Sequence, residues 1–154
     1  MYPSKLLEDY AAGPQLLKRA VSNMTPEQID AAPIPNQWST RQVICHIADF
    51  EPVYVDRITR VLVEKRPTFF GGDPDQFAAK LHYQQRNLEH ELQFIEVTRR
   101  HLLGILRQAN QADFQRVGLH SEAGPMTVEQ LLSNISGHIQ HHVKFIDQKR
   151  QALQ

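Results

Sequence analysis

Gly137-His138-Ile139-Gln140-His141-His142, near the C-terminus, places three of the chain's eight histidines within five positions. His138 and His142 are four residues apart. On an α-helix that spacing stacks two side chains on one face, about 6 Å apart along the axis. Leu131, Ile135, Ile139 and Ile146 recur around them at helical steps, and the two histidines fall within this apolar stripe. They are therefore expected to point inward. A buried imidazole needs a partner for its nitrogens, and one metal ion can partner two imidazoles spaced in this way. Such a pair also occurs on solvated helix faces, so a third ligand elsewhere in the chain is what would make a site of it.

Working outward, Thr127 and Gln130 form a capping pair that opens this last helix, which is expected to run to about Lys149. Three more helix starts precede it. Thr25-Pro26-Glu27-Gln28 reads as an N-cap, a proline at the first helical position and a capping-box partner, opening a short helix that stops before Pro33. Ser39 with Gln42 opens a long helix to about Lys65, with Pro52 inside it. Asp73-Pro74 opens a third long helix carried by Leu81, Leu88, Leu92, Ile95, Leu102 and Leu106 to about Asn110. Residues 4–23 make the first long helix, with a kink expected at Gly13-Pro14 because proline removes a backbone donor. No period-two run is longer than Arg116-Val117-Gly118-Leu119, so no strand is expected. The reading is all-α: one domain over residues 1–154, an antiparallel four-helix bundle with one short extra helix.

The 154 residues suffice for one real core, and lysine plus arginine equals aspartate plus glutamate at 17 each. That balance argues against a protein held to nucleic acid by phosphate contacts and against a polybasic membrane-surface protein. No apolar run approaches the roughly 20 residues that span a bilayer, and Met1-Tyr2-Pro3-Ser4-Lys5 lacks the pattern of a secretory signal. The single cysteine, Cys45, excludes an internal disulfide. A cytoplasmic location is expected.

His46 is the natural third ligand. It lies near the start of the second long helix, and in a bundle that helix can face the one carrying His138 and His142. Two ligands from one helix and one from another leave positions open for water or substrate, the arrangement of a reactive metal rather than a closed structural one.

At this point the chain resembles a known family, the DinB/YfiT-like superfamily of metal-binding four-helix proteins. The resemblance rests on Trp38-Ser39 followed by Val43-Ile44-Cys45-His46-Ile47-Ala48-Asp49, on Gly124-Pro125-Met126-Thr127 leading into the last helix, and on Gly137 to His142. Gln42 departs from the pattern, where many relatives carry glutamate. The resemblance implies that His46, His138 and His142 bind a divalent ion (nickel, zinc or iron) and that the substrate is a small molecule. It also implies that a low-molecular-weight thiol such as bacillithiol or mycothiol can be a cosubstrate, and that homodimers are common. Relatives include thiol-dependent transferases and isomerases, and others were named as hydrolases. The leading expectation is thus a metal-dependent transferase or hydrolase. A non-catalytic metal-binding or protein-interaction module is the alternative, which exposure of Trp38, Phe69 and Phe70 would favour.

The remaining candidates carry blander readings. His141 rivals His142 but lies off the stripe, which points it to solvent or to a supporting role. Cys45 reads as a small core residue. Trp38 reads as a plug at the bundle end ahead of substrate stacking. Asp49 and Glu51 could orient an imidazole or act as a base, although most helix carboxylates are simply solvated. His120, in the last connection, could reach the metal. His82, His90 and His101 read as surface residues.

Overall fold

The computed structural model describes residues 2–154. The elements in order are α1 (Ser4–Val21), α2 (Pro26–Asp30), α3 (Thr40–Val63), β1 (Thr68–Phe69), α4 (Pro74–Lys80), a 3-10 turn (Tyr83–Gln85), α5 (Leu88–Leu106), α6 (Gln111–Phe114), β2 (Val117–His120), β3 (Gly124–Thr127) and α7 (Val128–Ala152). The capping boxes expected at Thr25/Gln28, Ser39/Gln42 and Thr127/Gln130 all form, each satisfying two backbone groups at a helix start. Gln42 thus keeps the capping role, its Oε1 accepting from the Ser39 N–H at 2.9 Å. Among the described residues no helix is long and apolar enough to cross a membrane.

The four long helices α1, α3, α5 and α7 pack around two apolar clusters, and these clusters set their directions. One cluster takes the N-terminal halves of α1 (Leu7, Tyr10) and α7 (Val128, Leu131, Leu132) with the C-terminal halves of α3 (Ile58, Val61) and α5 (Leu102, Leu106). The other takes Leu17 and Ala20 of α1 and Ile146 of α7 with Val43 and Ile44 of α3 and Leu92 of α5. So α1 and α7 run in one direction, and α3 and α5 run in the other. Two end contacts agree: Tyr2 Oη donates to the Leu106 carbonyl, and Arg150 donates to that of Ala20. Neighbours pair as α1–α7, α7–α3, α3–α5 and α5–α1. The bundle is therefore not antiparallel throughout, because α1/α7 and α3/α5 are parallel neighbours. A parallel pair needs a crossover as long as the bundle, and residues 64–87 supply it.

That crossover corrects the third expected helix. It does not run unbroken from Asp73 to Asn110. His82 takes a left-handed conformation (φ 50°), Tyr83 is buried, and Asn87 starts α5 afresh by accepting from the His90 N–H. The all-α expectation is corrected too. β2 and β3 form an antiparallel hairpin with Val117 opposite Thr127, and β1 adds in parallel to β2. Gly118 is demanded by packing, since a Cβ there would sit 2.4 Å from Phe69 and 2.7 Å from Val61.

The helix α1 runs from Ser4 to Val21 with Pro14 inside it. Pro14 cannot donate to the Tyr10 carbonyl, and Arg99 Nη1 does so instead at 2.9 Å. Arg99 lies at the waist between the two apolar clusters and is 1% exposed. Its Nε and Nη2 hold Glu51 Oε1 at 2.8 and 2.7 Å, and Nη2 also reaches the Ile135 carbonyl at 2.7 Å. One guanidinium thus ties α5 to α1, α3 and α7.

Candidate metal centre

His46 sits in the second turn of α3, and the antiparallel packing of α3 on α7 carries it to His138 and His142. The three Nε2 atoms converge. His46 and His138 are 2.8 Å apart, and His138 and His142 are 3.1 Å apart. All three ligand atoms lie within 4.8 Å of one another. Metal–nitrogen bonds of about 2.0–2.1 Å in a tetrahedral set imply nitrogens about 3.3 Å apart, and two of the three pairs already lie within about 0.5 Å of that spacing.

The polar accounting points the same way. Nδ1 of His46 and Nδ1 of His138 are buried with no hydrogen-bond partner among the described residues. Ligation through Nε2 puts the proton on Nδ1, so these two N–H groups have no acceptor among the described residues, and it is at the Nε2 side that the rings meet. One Nε2–H on His138 can serve only one neighbour, which leaves lone pairs facing each other, whereas a cation takes all three. Burial also disfavours the imidazolium form. It lowers His46 to about 4, with the Asp49 charge working weakly against it. It lowers His138 to about 2, helped by His142, His46 and Arg99, and His142 to about 3. The imidazoles are neutral at pH 7, the state that ligates metal.

Aromatic rings wall the cluster. Trp38 and Phe50 flank the His46 ring with centroids at 5.1 and 4.9 Å, and Phe77 packs on Phe50 at 5.1 Å. A pocket of about 290 Å³ opens beside His142, lined by Asn36, Gln37, Trp38, Val43, Asp75, Phe145 and Lys149. Trp38 therefore lies between the ligand ring and this pocket rather than only plugging the bundle end.

The other candidates go elsewhere. Glu51 is fully buried in the ion pair with Arg99, and Tyr10 Oη donates to its second oxygen at 3.3 Å. Asp49 accepts from Arg86 Nη1 at 2.8 Å, and Arg86 is also held by Glu91. Neither carboxylate bonds a ligand imidazole. His120 packs edge-on against Phe69, and its Nδ1 accepts from the Glu122 and Ala123 N–H groups, capping the β2–β3 turn. His141 is exposed, as are His82, His90 and His101. Cys45 is buried, with its thiol against the Tyr83 carbonyl and its pKa pushed up to about 11 by burial. Sequence reasoning missed Arg99. It also missed Lys149, taken only as a helix end.

The chain is similar to known proteins over nearly its whole length. The sequence profile of the DinB superfamily matches residues 9–146. A relative from Oceanobacillus iheyensis named "Putative metal-dependent hydrolase" is 28% identical over 133 residues, covering 86% of this chain and 77% of the relative. A relative of the same name from Bacillus licheniformis is 26% identical over 97% of this chain and 85% of its own. The solved structure of YfiT from Bacillus subtilis, described as a probable metal-dependent hydrolase with an unusual four-helix bundle topology, superposes with a TM-score of 0.89 at 24% identity. It covers 97% of this chain and 86% of that one. With its profile and fold in agreement, the chain belongs to the DinB superfamily.

Proposed function

We propose that this protein is a divalent-metal-dependent enzyme acting on a small molecule, with hydrolysis as the first reaction class to test. The observation that carries the reading is the convergence of three neutral imidazoles at the edge of an aromatic-walled pocket. His46, His138 and His142 would hold the ion, and nickel, zinc and iron all suit an imidazole set. When bound, such an ion supplies Lewis-acid polarisation and a water acidified toward neutral pH. The chain's own residues do the rest. Burial keeps the three rings deprotonated, Trp38 and Phe50 exclude water from the His46 side, and the pocket beside His142 admits the substrate. The names of the relatives favour hydrolysis.

A thiol-dependent transferase is the second reading, and one observation shapes it. Cys45 is buried and not thiolate at neutral pH, so any thiol nucleophile must come from a low-molecular-weight cosubstrate. The interaction-module alternative draws little support, because Phe69 is buried and Trp38 is half-buried, leaving Phe70 alone of the three well exposed.

Elemental analysis of untagged protein, beside the His46→Ala/His138→Ala/His142→Ala variant, tests the reading. Near-stoichiometric metal in the parent, lost from a folded variant, together with metal-dependent turnover in a panel of ester, amide and thiol-transfer substrates, is the expected result. A parent that takes up none of the three ions after incubation would sink it.

A further inference from the structure

Beyond the three histidines, α7 continues the same stripe: His138, His142, Phe145 and Lys149 follow at helical steps, and the last three line the pocket. Lys149 is 2% exposed. Among the described residues its ammonium reaches only the Phe145 carbonyl, at 3.4 Å, a group already within its own helix. It lies 5.9 Å from the Phe145 ring centroid. No carboxylate pairs with it among the described residues, although nine ion pairs form elsewhere. An ammonium removed from water with one long hydrogen bond is costly; of the other buried cations, Arg99 is paired with Glu51, and Arg57 is held by the Phe70 carbonyl and the rings of Tyr54 and Phe69. A lysine in such a place is explained if a ligand completes it.

We infer that Lys149 anchors a carboxylate on the small molecule whose reacting end lies at His142, a deepening of the function proposed above. The spacing sets the ligand. Seven residues of helix separate His142 from Lys149, about 10 Å along the axis. Between them the wall is Phe145, with Val43 and Trp38 across the pocket. The fitting molecule therefore carries an anionic end and an apolar middle about as long as a six-carbon chain. Asn36 and Gln37 line the pocket and bring amide donors for the second carboxylate oxygen. Asp75, which also lines the pocket, carries the opposing charge, but it is exposed, where solvent and salt screen it. Burial lowers the Lys149 pKa, the sign expected for an ammonium awaiting a counter-ion.

Two probe pairs test this on the full chain. Zinc-treated protein is titrated with suberic acid monohydroxamate and with octanohydroxamic acid, which differ only in a terminal carboxylate. Metal-free protein is titrated with hexanoate and with hexan-1-ol. Each pair is measured on the parent, Lys149→Met and Lys149→Arg. The expected result is a preference for the carboxylate of at least about tenfold in the parent, kept by Lys149→Arg and lost in Lys149→Met. Lys149→Met should also melt no lower than the parent, since it removes an unpaired charge. If zinc fails to load while metal-free protein keeps a Lys149-dependent preference, the three-histidine reading fails and the carboxylate site stands. The inference is overturned by an undiminished preference in Lys149→Met, or by no binding of either probe in either arm. It is equally overturned if Lys149→Met melts lower and Lys149→Arg restores stability without restoring the preference.

Discussion

Arg99→Met removes a side chain that hydrogen-bonds to all three other long helices, and its cost can be worked from what it leaves behind. Glu51 loses both guanidinium contacts and keeps only the Tyr10 hydroxyl, at zero exposure. The Tyr10 carbonyl loses the donor that stands in for Pro14, which has none to offer, and the Ile135 carbonyl loses the Arg99 donor. Breaking a buried ion pair from one side costs about 3–5 kcal/mol. At about 2–4 °C per kcal/mol for a chain of this size, the melting temperature should fall by about 6–20 °C. The pH dependence separates this cause from simple loss of packing. Burial already raises the Glu51 carboxyl above the usual range, against the pull of Arg99 and Tyr10, and removing Arg99 raises it further. A raised folded-state pKa means that the folded form holds its proton more tightly than the unfolded form. The variant should therefore regain stability as pH falls toward the ordinary glutamate value and lose it as pH rises through the folded-state pKa. Circular-dichroism melts of parent, Arg99→Met and Arg99→Met/Glu51→Gln at pH 5 and pH 7.5 read this out. The double variant should be more stable than Arg99→Met at pH 7.5. A single variant that melts within about 2 °C of the parent, or a double variant that is worse than the single, would refute the clamp, since less than about 1 kcal/mol would then be at stake.

Other outcomes follow from the same geometry. Added zinc or nickel at a hundred times its dissociation constant should stabilise the parent by about 2.7 kcal/mol, or about 5–11 °C, and any single His→Ala change at 46, 138 or 142 should abolish most of that shift in a thermal scan. The metal-free parent should lose stability as pH drops below about 6.5, because the unfolded histidines take up protons that the folded ones, lowered to about 4, 2 and 3, refuse. In the triple-alanine variant that slope, measured by urea melts between pH 7.5 and 5, should be shallower. Gly13→Ala should destabilise by about 1–3 kcal/mol, because its Cβ would lie 2.2 Å from Arg99 Nη1, and Arg99→Met should remove most of this penalty in a double-mutant cycle.

Local signals carried much of the reading. The capping pairs place the starts of α2, α3 and α7, because each box depends only on residues three apart. The i,i+4 histidines share a face by helix geometry alone, and their inward direction follows from the apolar stripe beside them. Other features leave no local trace. β2 and β3 are short, contain Gly118 and Pro125, and are held by pairing with each other and with β1, forty-eight residues or more away. The break before α5 was hidden because Leu81 and Leu88 keep the helical spacing across it, although Asn87 is an available cap. Asp49 and Glu51 looked equally able to serve His46, and only their partners on α5 and in the crossover, Arg99 and Arg86, divert them.

By itself the sequence determined α1, α3 and α7, the capped starts of α2, α3 and α7 and the pair of histidines on one face, since these depend on contacts within about one turn. Which helix lies beside which was left to the tertiary structure. Tyr10, Arg99, Glu51 and Ile135 belong to four separate helices, and a polar group between packed helices is stable only where all its partners arrive together. The same packing brings His46 to within 2.8 Å of His138 across ninety-two residues of chain, and turns an unremarked lysine at the end of α7 toward a pocket.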